Sequence, residues 1–76
     1  MNLHVNVEKQ EEEYLVKLTG KIDVYTVPIL EEKIMPLIEE GNTKVVVNLY
    51  DVGYMDSSGL GTFISAYKSA QEHNCT

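Results

Sequence analysis

Two neighbouring hydroxyls, Ser57 and Ser58, stand between Asp56 and the run Gly59-Leu60-Gly61. Before them lies Val45-Val46-Val47-Asn48-Leu49, β-branched and apolar, which reads as a buried strand. After them Leu60, Phe63, Ile64 and Tyr67 recur at i, i+3, i+4 and i+7, the apolar stripe of an amphipathic helix. The octet Tyr54–Gly61 therefore reads as a strand-to-helix turn with Asp56 and Ser57 as candidate N-caps and Ser58 just behind. The first N–H groups of a helix have no intrahelical partner, and the macrodipole makes that end positive, a place that favours an anion. Gly59 and Gly61 take bulk out of the first turn, so another molecule could approach the backbone there. A hydroxyl in that position is a candidate phosphate acceptor. Asp-Ser-Ser is also what an ordinary capped helix start looks like. Two glycines at a cost of about 1 kcal/mol each relative to Ala speak for a site and not a cap alone.

Catalytic chemistry is poorly provided for. A nucleophile elbow, G-x-S-x-G, fails because Met55 stands at its first glycine if Ser57 is the nucleophile. His4 and His73 lie at opposite ends of the chain and read as surface residues. Gly59 and Gly61 lack the third glycine of a dinucleotide fingerprint, Ile64 taking its place, and no Walker lysine follows. One cysteine and two distant histidines give no zinc spacing, and Asp51 and Asp56 do not fit an EF-hand loop. The expectation is a protein that is not an enzyme and uses no cofactor. Tyr67, on the apolar stripe, is expected in the core; Tyr54, beside the site, could anchor a partner; Lys68 reads as a solvated charge.

The elements that hold this turn come from a chain of 76 residues, enough for one domain, here 1–76, that buries only about 60% of its unfolded surface. A hydrophobic content of 43% is that of a globular protein. Twelve acidic against six basic residues give −6, which argues against nucleic acid and anionic membrane and makes a basic protein patch the more natural counterpart. A single cysteine, Cys75, excludes an internal disulfide. With no apolar leader or run of spanning length, a soluble cytoplasmic protein is expected.

Leu3, Val5 and Val7 alternate with polar neighbours as a half-buried strand. Glu11-Glu12-Glu13 is a charged turn, and Tyr14–Thr19 a second strand that Gly20 ends, paired antiparallel to the first. Ile29, Leu30, Ile34, Leu37 and Ile38 mark a helix with Pro28 in its first turn, Pro36 predicting a kink or break near Met35, and Gly41-Asn42 as its stop. A strand over 44–49 and a helix from about Ser57 to Glu72 complete the pattern ββαβα, an α/β fold. The helical crossover makes strands two and three parallel, so the junctions 20–26 and 53–61 both leave carboxyl ends of strands and should lie side by side. Asp23 and Thr26 are thereby placed near Ser57.

With those residues in view, Met55-Asp56-Ser57-Ser58-Gly59-Leu60-Gly61 resembles the signature of the STAS-domain anti-sigma factor antagonists, or anti-anti-sigma factors. Leu18-Thr19-Gly20-Lys21-Ile22-Asp23-Val24-Tyr25-Thr26-Val27-Pro28 is similar to the family's other junction, in wording closest to the branch acting on the general-stress sigma factor, sigma-B. The resemblance implies a bacterial phosphoprotein that works by partner switching. Unphosphorylated, it binds an anti-sigma factor that is also a serine kinase and so frees the sigma factor for stress-response transcription. The kinase then phosphorylates the serine after the motif's Asp, here Ser57, and a serine phosphatase of the metal-dependent class reverses the step. Asp23, Thr26, Asp56, Ser58, Gly59, Leu60 and Gly61 are the partner-binding positions that the resemblance and the topology suggest. It also implies a STAS-like mixed sheet without the C-terminal strand and helix elements of a full domain. An open strand edge and an uncovered apolar face on the second helix are then expected. The rival reading is a small nucleotide- or phosphate-binding module using the same helix end, weakened by the want of a Walker lysine or nearby arginine.

Overall fold

The computed structural model describes residues 2–76, in the order β1 (Leu3–Lys9), β2 (Glu13–Ile22), α1 (Val27–Glu40), β3 (Lys44–Met55) and α2 (Ser57–Glu72). The short turn after β1 returns β2 antiparallel to it, with Val5 opposite Leu18. The α1 crossover brings β3 in parallel to β2, Glu13 opposite Lys44 and Ile22 opposite Met55. Strand order is β1-β2-β3, a mixed sheet. Period-two alternation sends Leu3, Tyr14, Val16, Leu18 and Ile22 to one face, buried with Leu30, Ile34 and Ile38 of α1 and Ala66 and Ala70 of α2. Leu18, Ile22 and Leu30 are fully enclosed, and burial of each contributes about 1.5–3 kcal/mol. The other sheet face is solvated. Its Lys17–Asp51 ion pair, 3.2 Å and half in water, contributes little.

Both site-bearing strands run further than their apolar runs suggest. Gly20 does not end β2: it sits at φ +117° beside a register shift, and a Cβ there would collide with the Asn2 carbonyl. Glycine thus lets the chain before β1 lie against β2, where Lys21 N–H donates to Asn2 O over 2.6 Å. β3 passes through Gly53 to Met55, because Tyr54 and Met55 still pair with Lys21 and Ile22. The expected octet turn contracts to Asp56 alone.

α1 runs without a break through Pro36, so of the kink or break expected near Met35 the break does not occur. Proline costs one backbone bond and crowds the preceding turn, but Ile34 and Ile38 on either side are both buried and hold the two halves on the sheet. Pro28 lies in the first turn and Gly41, at φ +75°, closes the helix, its N–H donating to Ile38 O.

α2 is turned differently from its hydrophobic stripe. Gly59, Thr62, Ala66 and Ala70 face inward, while Leu60, Ile64 and Tyr67 are 58%, 50% and 66% exposed and Phe63 is half-buried. Small side chains let α2 pack closely on α1 and the sheet, and the large ones are left outside. Tyr67 is therefore not a core residue. β3 is an edge strand, engaged on its outer side where Thr76 N–H donates to Thr43 O and Val45 N–H donates to Thr76 O. An open edge and an uncovered helix face are both present. Among the described residues no helix is long and apolar enough to cross a membrane.

Candidate functional site

Asp56 is the hinge between β3 and α2. Its N–H donates to Ile22 O over 3.1 Å, which ties the end of β3 to the end of β2. Its backbone stays extended, and carboxylate Oδ1 accepts from the Ser58 and Gly59 amides at 2.9 and 3.2 Å. Asp56 is thus the N-cap, and Ser57 is the first helical residue. Ser57 is exposed, whereas Ser58 is half-buried with its amide held by the cap. Gly61 is open, with nothing within 4 Å of a built Cβ. Gly59 is not. It is buried, and a Cβ would stand 2.6 Å from Met55 Cγ and 2.7 Å from Ile22 Cγ2. Its missing side chain makes room for Met55 and Ile22 of the sheet.

The second junction is built from reciprocal bonds. Asp23 Oδ1 accepts from the Tyr25 and Thr26 amides at 2.9 and 3.1 Å. Thr26 Oγ1 accepts from Asp23 N–H at 2.9 Å and donates to Lys21 O at 3.0 Å. Thr26 is 3% exposed, and its side chain positions the turn. Asp23 is half-buried and holds its own turn. Between them Val24 and Tyr25 stand out at 56% and 79% exposure. The two junctions do lie side by side, as the pairing of Ile22 with Met55 shows.

The arrangement presents a hydroxyl, Ser57, on a rigid helix end with two carboxylates, Asp23 and Asp56, at the same sheet edge. A free anion would meet the Asp56 carboxylate already on the N2 and N3 amides, which disfavours capture of a phosphate ligand. Among the described residues no group of His, Cys, Asp and Glu could hold a metal ion, and no buried side-chain N or O atom lacks a hydrogen-bond partner. His4 is exposed on β1; His73 is half-buried, its Nδ1 2.8 Å from Ser69 O at the C-terminal end of α2. Sequence reasoning missed Val24 and Tyr25 as exposed residues of the junction, and Ile64 and Tyr67 as residues turned away from the inner face of α2. The signal that could have found the last two was the 3-4-4 spacing of Gly59, Thr62, Ala66 and Ala70, which marks the true inner face.

A family model described as STAS domain matches residues 4–76. Proteins named anti-sigma-B factor antagonist from Staphylococcus aureus (strain NCTC 8325 / PS 47) and Staphylococcus epidermidis are 43% and 45% identical over 74 residues, 97% of this chain and 68% of theirs. The crystal structure of an anti-sigma factor antagonist from Mycobacterium paratuberculosis aligns with a TM-score of 0.86 at 25% identity, over 96% of this chain and 62% of that one. SpoIIAA in its unphosphorylated and phosphorylated forms aligns with TM-scores of 0.74 and 0.73 at 24% identity, over 91% of this chain and 64% of each, a likeness of fold. The chain spans about two-thirds of the length of these relatives.

Proposed function

This chain belongs to the STAS-domain family, and from that premise we propose that residues 1–76 form one STAS unit acting as an anti-sigma factor antagonist. Unphosphorylated, it binds an anti-sigma factor that is a serine kinase, so that a sigma factor of the sigma-B stress type is released. The kinase transfers the γ-phosphoryl group of ATP to Ser57 Oγ; the hydroxyl proton is lost, ADP leaves, and the antagonist is switched off. A metal-dependent serine phosphatase hydrolyses the ester and restores it. The observation that carries this reading is the exposed Ser57 hydroxyl at the first position of a helix whose cap is made by another residue, Asp56. Because Ser57 makes no capping bond, its modification leaves the helix start intact. The near-equal likeness of this fold to the unphosphorylated and phosphorylated forms of SpoIIAA supports a local switch without refolding.

Incubation with ATP and the kinase, followed by peptide mass mapping, tests the assignment. One phosphate on Ser57 is expected, none in Ser57→Ala, and Ser57→Ala should bind the kinase without being released. Phosphate on Ser58, or retained in Ser57→Ala, overturns it.

A further inference from the structure

Two neighbouring residues, Asp56 and Ser57, are each able to cap α2, and the fold uses only the first. Asp56 keeps an extended backbone and offers Oδ1 to the Ser58 and Gly59 amides at 2.9 and 3.2 Å. Its own N–H is tied to Ile22 O at 3.1 Å, so the cap is anchored to the end of β2. The helix is also fixed in rotation, because Gly59 is buried against Met55 and Ile22 with no room for a Cβ. Ser57 stands two residues before Gly59, about 200° around the helix axis, and so faces outward. Ser58, between the two, is half-buried. Ser57 is the exposed serine of the pair, and its hydroxyl takes no part in the cap.

We propose that Asp56 is the positioning residue of the phosphorylation site: by making the cap itself, it holds Ser57 one residue inside the helix and keeps that hydroxyl oxygen free as the acceptor. The proposal rests on the function argued above and adds what selects its serine. Serine caps a helix about as well as aspartate does. Without the Asp56 carboxylate the next residue able to cap is Ser57, and the helix then starts one residue later. Ser57 Oγ would accept from the Gly59 or Leu60 amide, and its backbone would turn extended. Transfer forms a bond from Oγ to the γ-phosphorus, breaks the bond to the oxygen that leaves with ADP, and releases the hydroxyl proton. The oxygen must supply a lone pair in the right direction, and one held on backbone amides is misdirected for it. The charge of Asp56 is not what this role requires. Asn keeps the accepting oxygen and caps equally well, whereas Glu keeps the charge but sets it one carbon further from the backbone, past the reach of the short cap.

The test compares the whole chain with Asp56→Asn, Asp56→Ala and Asp56→Glu, using purified anti-sigma-B factor of Staphylococcus aureus, the protein that the relatives' names say they antagonise. Two quantities are read: affinity in ADP, and the single-turnover rate of phosphoryl transfer from ATP at saturating chain. Asp56→Asn is expected to transfer within threefold of wild type, and Asp56→Ala and Asp56→Glu to be slowed tenfold or more, all with affinity within threefold. Asp56→Glu keeps a negative charge at the positive helix end, so the outcome does not depend on the alanine variant folding. The cap itself is read without the partner: the Ser57 Cα and Cβ chemical shifts should leave their helical values in Asp56→Ala and Asp56→Glu and keep them in Asp56→Asn. A fast Asp56→Glu with a slow Asp56→Asn assigns the effect to charge and overturns the proposal. Affinity lost alike in all three variants makes Asp56 a partner contact and also overturns it. Wild-type transfer rates in all three, or helical Ser57 shifts throughout, overturn the positioning role and leave the proposed function standing. Absence of both binding and phosphorylation in the wild type removes the proposed function, and the positioning role falls with it.

Discussion

Two glycines two residues apart do opposite work at the head of α2. A methyl group at Gly61 meets open space, so Gly61→Ala gains helix propensity without a clash and is expected to stabilise by about 0.5–1 kcal/mol. The same change at Gly59 drives a Cβ into Met55 and Ile22. Met55 has a flexible end, but Ile22 is fully enclosed in the core and has nowhere to move. Gly59→Ala is therefore expected to cost about 1–3 kcal/mol despite its better propensity, the range for overpacking. Urea unfolding of both variants reads the difference; a stabilised Gly59→Ala would mean that α2 does not sit on Ile22 as described. The sequence shows two glycines in one turn and assigns both to the approach of another molecule. Only the fold separates them, because what distinguishes the pair is a side chain 37 residues away from Gly59 in the chain.

At the scale of elements, each junction is fixed by a carboxylate that takes two backbone amides, and the difference between them lies in what the carboxylate is left free to do. Asp23 closes the turn before α1 on Tyr25 and Thr26. Asp23→Ala is expected to lower stability by about 1 kcal/mol, while Asp23→Asn, which keeps the accepting oxygen, stays close to wild type. Thermal unfolding distinguishes them; equal melting temperatures for all three would return Asp23 to the role of a free partner contact. A second tie joins the start of β2 to the last turn of α1, where Tyr14 O–H donates to Glu40 at 2.6 Å. That bond, with burial and the Glu40 charge added, raises the tyrosine above its ordinary value of 10.0, against a smaller opposing effect of Lys9. A raised folded value means that this stability is full below the unfolded value and is lost as pH rises through the folded one. Melting temperature should thus fall more steeply above roughly pH 10 in wild type than in Tyr14→Phe. Element order and the parallel crossover were legible in the sequence because each depends on local spacing, and the cap of α2 was narrowed there to Asp56 or Ser57. The facing of α2 was not, since the stripe rule gives the core to the largest apolar side chains, and here Ala66 and Ala70 occupy it.

The whole molecule is nearly as compact as its length allows and yet open along one side. Its radius of gyration, 11.7 Å, is close to the roughly 11.4 Å expected of a folded chain this long. Its accessible surface, 5003 Å², exceeds by only a little the roughly 4,700 Å² of a folded monomer of this mass. One side is open. A groove of about 160 Å³ between α1, α2 and β3 is lined by Ile34, Val45, Val47, Phe63 and Ala70, and beside it runs the outer edge of β3 with Leu49 and Tyr50 41% and 90% exposed. An unpaired strand edge next to apolar side chains is a template for another strand. The fold is therefore expected to be cooperative but marginal, melting below about 60 °C and associating as concentration rises. A lysine on an edge strand opposes such pairing at little cost to the monomer. Leu49→Lys should accordingly reduce the mass seen by light scattering at high concentration and leave the melting temperature of the dilute chain within a few degrees of wild type. Association unchanged in Leu49→Lys would show that the edge is not the contact. A monomer at all concentrations with a sharp transition above about 60 °C would show that the chain is stable without that edge being paired.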